Sequence, residues 1–292
     1  MNERETWDAR PLFARAQQLI EWRRYKEALQ ELEQMLRMDP ENPDAMAMIA
    51  HVHMLQQNHK KALQWTGQAL RIEPDHLFAW YVRVLVFYQT EKVKEFYKAV
   101  DHALRIDPEE PLYYFLKANY ENRKKRFKEA MALLEEALKL RPEEPLYLAA
   151  ASYTAAYAGR FAESEEFERQ ALRYGAEEPE ALLYLSWAAR VRGDHKKQEE
   201  FARSAVRLNP EDKQTRDEYL EALQYSNLLY RICLWPIMKL RKLRSWQVLL
   251  IWIIGWFFIR GIMILFLLVY FIAYWISRWI VHVRVFGWRR GS

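Results

Sequence analysis

Along residues 9–225 the apolar positions recur as pairs of amphipathic segments, and each pair closes on a variant of Leu104-Arg105-Ile106-Asp107-Pro108. The variants are Leu36-Arg37-Met38-Asp39-Pro40, Leu70-Arg71-Ile72-Glu73-Pro74, Leu138-Lys139-Leu140-Arg141-Pro142 and Val206-Arg207-Leu208-Asn209-Pro210. The first four of these prolines are 34 residues apart, Pro210 lies two periods beyond Pro142, and the missing copy falls on Ala176. A fixed period of this length predicts stacked helix–turn–helix repeats, each too small to bury its apolar face alone. The expected class is all-α, with about six repeats starting near residues 9, 43, 77, 111, 145 and 179.

Small residues recur where paired helices must approach closely. They are Ala16, Ala50, Ala118, Ser152 and Ser186 in the first segment, with Val84 as a departure that predicts looser packing in the third repeat. In the second segment they are Ala28, Ala62 and Ala130, against Phe96, Ser164 and Gln198. Near its end the segment carries Ala69, Ala103, Ala137, Ala171 and Ala205. Gly159 and Gly193 mark turns that want positive φ. Each proline ends a helix by removing a donor and crowding the preceding turn.

This arrangement resembles the tetratricopeptide repeat family over about three quarters of the chain, with Trp80 holding one of the family's tryptophan positions. The resemblance implies a right-handed solenoid whose first helices line a concave peptide-binding groove. The lining positions it implies include Phe78, Tyr81, Tyr88, Phe115, Asn119, Asn122, Tyr153 and Trp187. Rings there offer contact area at low entropic cost, and paired asparagines can hold a peptide backbone. Aromatic stripes at helical spacing also serve as packing between helices. A clamp that some members use for chaperone C-termini is not matched. Asn119 fits one position, but Phe115 and Ala150 stand where lysine and asparagine belong.

The pattern changes after the repeats. Residues 213–235 read as a capping and connecting helix, 236–245 as a basic juxtamembrane segment, 246–283 as a membrane segment and 284–292 as a basic tail. Residues 1–8 form a charged N-terminal extension that lacks the apolar core of a secretory signal. From Trp246 to Ser277 only Arg260 is charged. One reading is a short hairpin turning near Arg260-Gly261; the other is an interfacial helix followed by a span over residues 261–280. The hairpin is favoured because an arginine at mid-bilayer costs about 2.5–3.5 kcal/mol or more. Lys239, Arg241, Lys242 and Arg244, with Arg278, Arg284, Arg289 and Arg290 beyond the span, then put both ends on the cytoplasmic side.

The formal charge of +5 is modest, and its positioned cations flank the apolar tail, which points to a membrane and away from nucleic acid. A single cysteine, Cys233, excludes an intramolecular disulfide and a cysteine-rich zinc site. His51 and His53 are two apart on a helix and diverge, so no metal site is expected. Phosphate-binding glycine loops and nucleophile elbows are absent, and neither enzyme activity nor a cofactor is expected. The expected function is a membrane-anchored scaffold for protein or peptide partners, with oligomerisation through the tail possible. The alternative is a structural or accessory subunit of a larger membrane assembly, such as secretion or envelope-building machinery, that uses its outer face and tail.

Overall fold

The computed structural model describes residues 10–175, 178–226 and 260–286. Among them are 14 α-helices and no strand, and the chain divides into two compact units at residues 141 and 142. The first unit holds α1 (Arg10–Glu21), α2 (Tyr25–Met38), α3 (Pro43–Leu55), α4 (His59–Ile72), α5 (Leu77–Gln89), α6 (Val93–Ile106), α7 (Pro111–Arg123) and α8 (Phe127–Leu140). The second holds α9 (Pro145–Tyr157), α10 (Phe161–Arg173), α11 (Pro179–Arg192), α12 (His195–Leu208), α13 (Lys213–Ser226) and α14 (Arg260–Phe286).

Local chemistry sets the helix ends. Pro43, Pro111, Pro145 and Pro179 each open a helix, where a missing N–H costs nothing and φ is already helical. Asn42, Asn58 and Asp194 cap helices by accepting from the amides of Ala45, Lys61 and Lys197. At the other end, Asp39 and Glu73 leave the helix in extended geometry, with φ of −134° and −126°. The proline that follows each forces this, because its ring crowds a helical predecessor. Between the paired helices one residue is left-handed at each repeat: Arg23, Gln57, Glu91, Lys125, Gly159 and Gly193, with φ from 54° to 84°. Glycine takes that conformation without strain in two of the six turns; in the other four an ordinary side chain bears it.

The small residues sit where the paired helices touch. Ala16, Ala50 and Ala118 are fully buried, as are Ala28, Ala62 and Ala130 on the partner helices. In the third pair Val84 and Phe96 occupy these positions, also fully buried, and α5 and α6 approach less closely than α3 and α4 or α7 and α8 do. The added side-chain volume holds the two backbones apart.

In the second unit polar residues take over the same positions. Ser152 Oγ donates to the Ser164 carbonyl at 2.8 Å, and Ser186 Oγ repeats the contact to the Gln198 carbonyl at 3.0 Å. Beside Ser152 the Arg192 guanidinium pairs with Glu168, their side chains 4% and 2% exposed, and Lys197 reaches the other Glu168 oxygen at 2.6 Å. Arg192 also donates to Ser164 Oγ, so one network ties α9, α10, α11 and α12. Two charges buried this deeply are tolerated only as a pair, and removing one leaves the other unsolvated. Glu168→Ala should cost about 3–5 kcal/mol in chemical denaturation, and Glu168→Leu with Arg192→Met clearly less. Equal losses for the single and double variants would show that the charges are not coupled.

On α3, burial holds the His51 imidazole below its ordinary pKa of 6.5, and burial followed by nearby Lys61 does the same for His53. The unfolded chain therefore binds these protons at higher pH than the folded one. The stability that the neutral rings contribute is complete above pH 6.5 and is lost as pH falls below it. Thermal unfolding at pH 7.5 and 5.5 should show the native chain losing more stability on acidification than the His51→Gln/His53→Gln variant. Parallel losses would contradict this assignment.

Candidate functional site

The sequence-selected rings gather separately in each unit. In the first, α5 carries Phe78, Tyr81 and Tyr88, all half-buried. Phe78 stacks on Tyr81 with centroids 5.9 Å apart and takes the edge of His51 from α3 at 5.3 Å. Tyr81 continues the row to Tyr113 of α7 at 6.4 Å. Two turns further along α5, Tyr88 meets Tyr120 edge-on at 5.4 Å and Phe96 at 5.7 Å. Offset and edge-on pairs of this kind hold rings in place beyond what area burial alone provides.

The α7 residues are placed differently. Phe115 is 2% exposed and belongs to the packed interior. Asn119 and Asn122 are both 6% exposed, and Asn119 Nδ2 donates to the Tyr88 hydroxyl at 3.2 Å. That bond fixes the Tyr88 ring to the neighbouring repeat. Burial is the main cause that pushes the Tyr81 and Tyr113 phenols up, with Glu110 adding to it, so both stay neutral donors at physiological pH.

In the second unit, Tyr153 of α9 and Trp187 of α11 meet edge-on at 5.9 Å, both half-buried. Tyr184 joins them, 5.8 Å from Tyr153 and 5.2 Å from Trp187, and Tyr157 packs on Tyr153 at 4.8 Å. Arg190, one turn beyond Trp187, pairs with Glu221 of α13 at 2.9 Å and lies 3.9 Å from Glu218. Thus α13 covers the last repeat with charge as well as packing. Tyr113 and Tyr184 were not singled out in the sequence because they fall at the third and sixth residues of their helices, outside the lining phase that the family resemblance implies.

Rings with a few hydroxyls and amides provide a surface for gripping apolar or backbone groups; they do not assemble an acid–base pair. Among the described residues no His, Cys, Asp or Glu group is placed to hold a metal ion. Lys239, Arg241, Lys242 and Arg244 lie outside the described residues. Arg260 is the first residue of α14, a helix of 27 residues. Along α14, the six consecutive side chains from Ile264 to Val269 are all exposed, and so are Phe271, Ile272, Trp275, Ile276 and Trp279. Six in a row exceed one helical turn, so the helix exposes apolar surface all round over residues 264–269, whereas Tyr270, Ala273, Tyr274 and Ser277 form a stripe that is half-buried to buried. Among the described residues no helix is long and apolar enough to cross a membrane. The side chains described in α14 run from Ile264 to Trp279, about 24 Å at 1.5 Å per residue, against a hydrocarbon core of about 30 Å.

Comparison with curated proteins gives no match. Solved structures with similar folds include a chain of the APC/C hetero-tetramer Cut9-Hcn1, at 14% identity and a TM-score of 0.64, over 76% of this chain. This chain spans 44% of the length of that one. Pseudomonas aeruginosa pilF matches at 18% identity and TM-score 0.60, over 73% of this chain and 95% of its own. PilW, described as a widely conserved type IV pilus biogenesis factor, matches at 19% and 0.59, over 72% and 97%. At these identities the likeness shows the fold alone. Tetratricopeptide repeat models match residues 19–81, 98–145 and 150–213, together more than half of the sequence, and each match falls on the paired helices described above. The chain belongs to the tetratricopeptide repeat family.

Proposed function

We propose that this protein is a membrane-anchored scaffold that holds protein or peptide partners on the aromatic faces of its first helices. Repeats of this family generally mediate protein–protein interactions. The observation that carries the reading is the pair of half-buried ring clusters: Phe78, Tyr81 and Tyr88 in one unit, Tyr153 and Trp187 in the other. Each ring is fixed by ring or amide contacts to a neighbouring helix yet keeps part of its surface open. Such pre-ordered aromatics lose little entropy on binding and are the usual anchors of an interface. Asn119 contributes by holding the Tyr88 ring from behind, and Phe115 and Asn122 are buried on the same helix.

The tail provides the anchor in this proposal. An α-helix that exposes consecutive apolar side chains, as α14 does from Ile264 to Val269, loses free energy in water and gains it in lipid, at about 25 cal/mol per Å² of apolar surface covered. Trp275 and Trp279 sit toward the end where Arg278 is exposed, as interfacial anchors and a flanking cation do. In the hairpin reading the positive-inside rule puts the basic residues on either side of the apolar stretch in the cytoplasm and, in this proposal, the repeats with them. Tethering raises the effective concentration of the scaffold for membrane-associated clients. The rival reading, an accessory subunit of an envelope-building assembly, shares the tail but not the use of the rings; the fold-level likeness to PilW is what brings it forward.

Two measurements separate these claims. Crosslinking capture from intact membranes should lose specific partners when Tyr81, Tyr153 and Trp187 are changed to alanine, each truncation weakening binding by about 2 kcal/mol. Retention of the same partners would make the rings scaffold and favour the accessory-subunit reading. Independently, Leu268→Arg with Ile272→Arg should release the chain from membranes in alkaline extraction, at about 2.5–3.5 kcal/mol per arginine. Unchanged retention would refute anchoring by α14.

A further inference from the structure

A half-buried cation lies where α5 meets α4. Arg83 of α5 is half-buried, with its guanidinium carbon 5.4 Å from the centre of the Phe87 ring and 6.0 Å from that of Trp80. Among the described residues its one hydrogen bond runs to the Thr66 hydroxyl at 3.3 Å. Among the described residues no carboxylate pairs with it, and burial pulls its pKa down with no acid opposing the effect. A guanidinium taken partly out of water and left without a counter-charge is costly unless something supplies one.

The next repeat shows what is missing. Moving 34 residues along, Arg83 becomes Lys117 and Gly67 becomes Asp101. Lys117 and Asp101 form an ion pair at 2.9 Å, made between the first helix of one repeat and the second helix of the repeat before it. At the preceding repeat the cation has therefore been kept and its acid deleted to glycine. The deletion was not forced by crowding: a Cβ on Gly67 would lie 3.9 Å from Arg83 Nη1, an ordinary contact, and the backbone there is not left-handed. Arg71 adds a second guanidinium beside the gap by donating to the Gly67 carbonyl at 3.3 Å. Next to this point, a cleft of about 470 Å³ is lined by His59, Lys60, Leu63, Gln64, Thr90 and Lys92, with cations and no acid among them.

We infer that the space over Gly67 is a docking site for an acidic protein segment, whose Asp or Glu carboxylate pairs with Arg83 as Asp101 pairs with Lys117. The geometry favours a carboxylate on a polypeptide because the equivalent position is filled by one, and because the adjoining cleft extends the cationic surface along α4. Leu63 provides apolar contact for the stem of the incoming side chain. This site is distinct from the ring clusters and does not depend on their role.

The test uses the full chain in detergent micelles and a fluorescent helical peptide of alternating alanine and glutamate blocks, with a glutamine version as control. The acidic peptide should bind and the glutamine peptide should not. Arg83→Gln should weaken binding about tenfold or more, the loss of one charge-assisted hydrogen-bonded contact. Gly67→Asp should do the same by supplying the carboxylate internally, while Gly67→Ala leaves the affinity unchanged. Because Gly67→Asp also replaces a helix-interior glycine, its fold is expected to be at least as stable as that of the native chain. No binding of the acidic peptide, or equal binding by all variants, overturns the proposal. So does binding of inorganic phosphate with the same Arg83 dependence and no peptide binding, which would assign a small-anion site instead.

Discussion

The structure depends on the approach of paired helices at buried positions that most of the repeats fill with a small residue. Ala50 against Ala62 and Ala118 against Ala130 are fully buried, and each brings two helix backbones near enough for the flanking side chains to interdigitate. Overpacking such a contact without a shift of the helices costs about 1–3 kcal/mol. Where it does change, the structure compensates. Val84 and Phe96 separate α5 from α6, and the space becomes an aromatic cluster of Phe96, Tyr97, Tyr88 and Tyr120. Ser152 and Ser164 admit polarity, and Arg192 and Glu168 are buried around them as a satisfied network.

The same constraint places the candidate interaction surface. With one face of each first helix committed to its small-residue contact, the residues on adjoining turns are directed toward neighbouring first helices or outward. On α5, α9 and α11 those residues are Phe78, Tyr81, Tyr88, Tyr153 and Trp187. Their rings are held by one another and by single polar contacts, such as Asn119 to Tyr88, so they are ordered before any partner arrives. On the other side of α5, Arg83 has no paired carboxylate among the described residues, whereas Lys117, its counterpart one repeat on, has Asp101.

Much of this was legible in the sequence, for physical reasons. Proline removes a donor and fixes φ, so its 34-residue phase marks helix ends; helices begin at Pro43, Leu77, Pro111, Pro145 and Pro179. The looser third repeat was legible from Val84. Four of the left-handed turns were not, because Arg23, Gln57, Glu91 and Lys125 carry side chains that give no hint of positive φ. The deep burial of Asn119 and Asn122 was not legible either, since the lining phase names a face and not how far a neighbouring helix covers it. Arg192 and Glu168 lie 24 residues apart on different helices, and nothing local in either segment announces their pairing. The apolar stretch was plain as composition, and α14 gives it a helix exposed all round from Ile264 to Val269, with a half-buried to buried stripe of Tyr270, Ala273, Tyr274 and Ser277 that composition did not announce.

The most direct measurement of the scaffold account is amide hydrogen exchange on the full chain in membranes, with and without its captured partner. The account expects added protection on the first helices that carry the open rings, α5, α9 and α11, with the partner bound. Protection confined to α14, with those three helices exchanging as in the free protein, would contradict it.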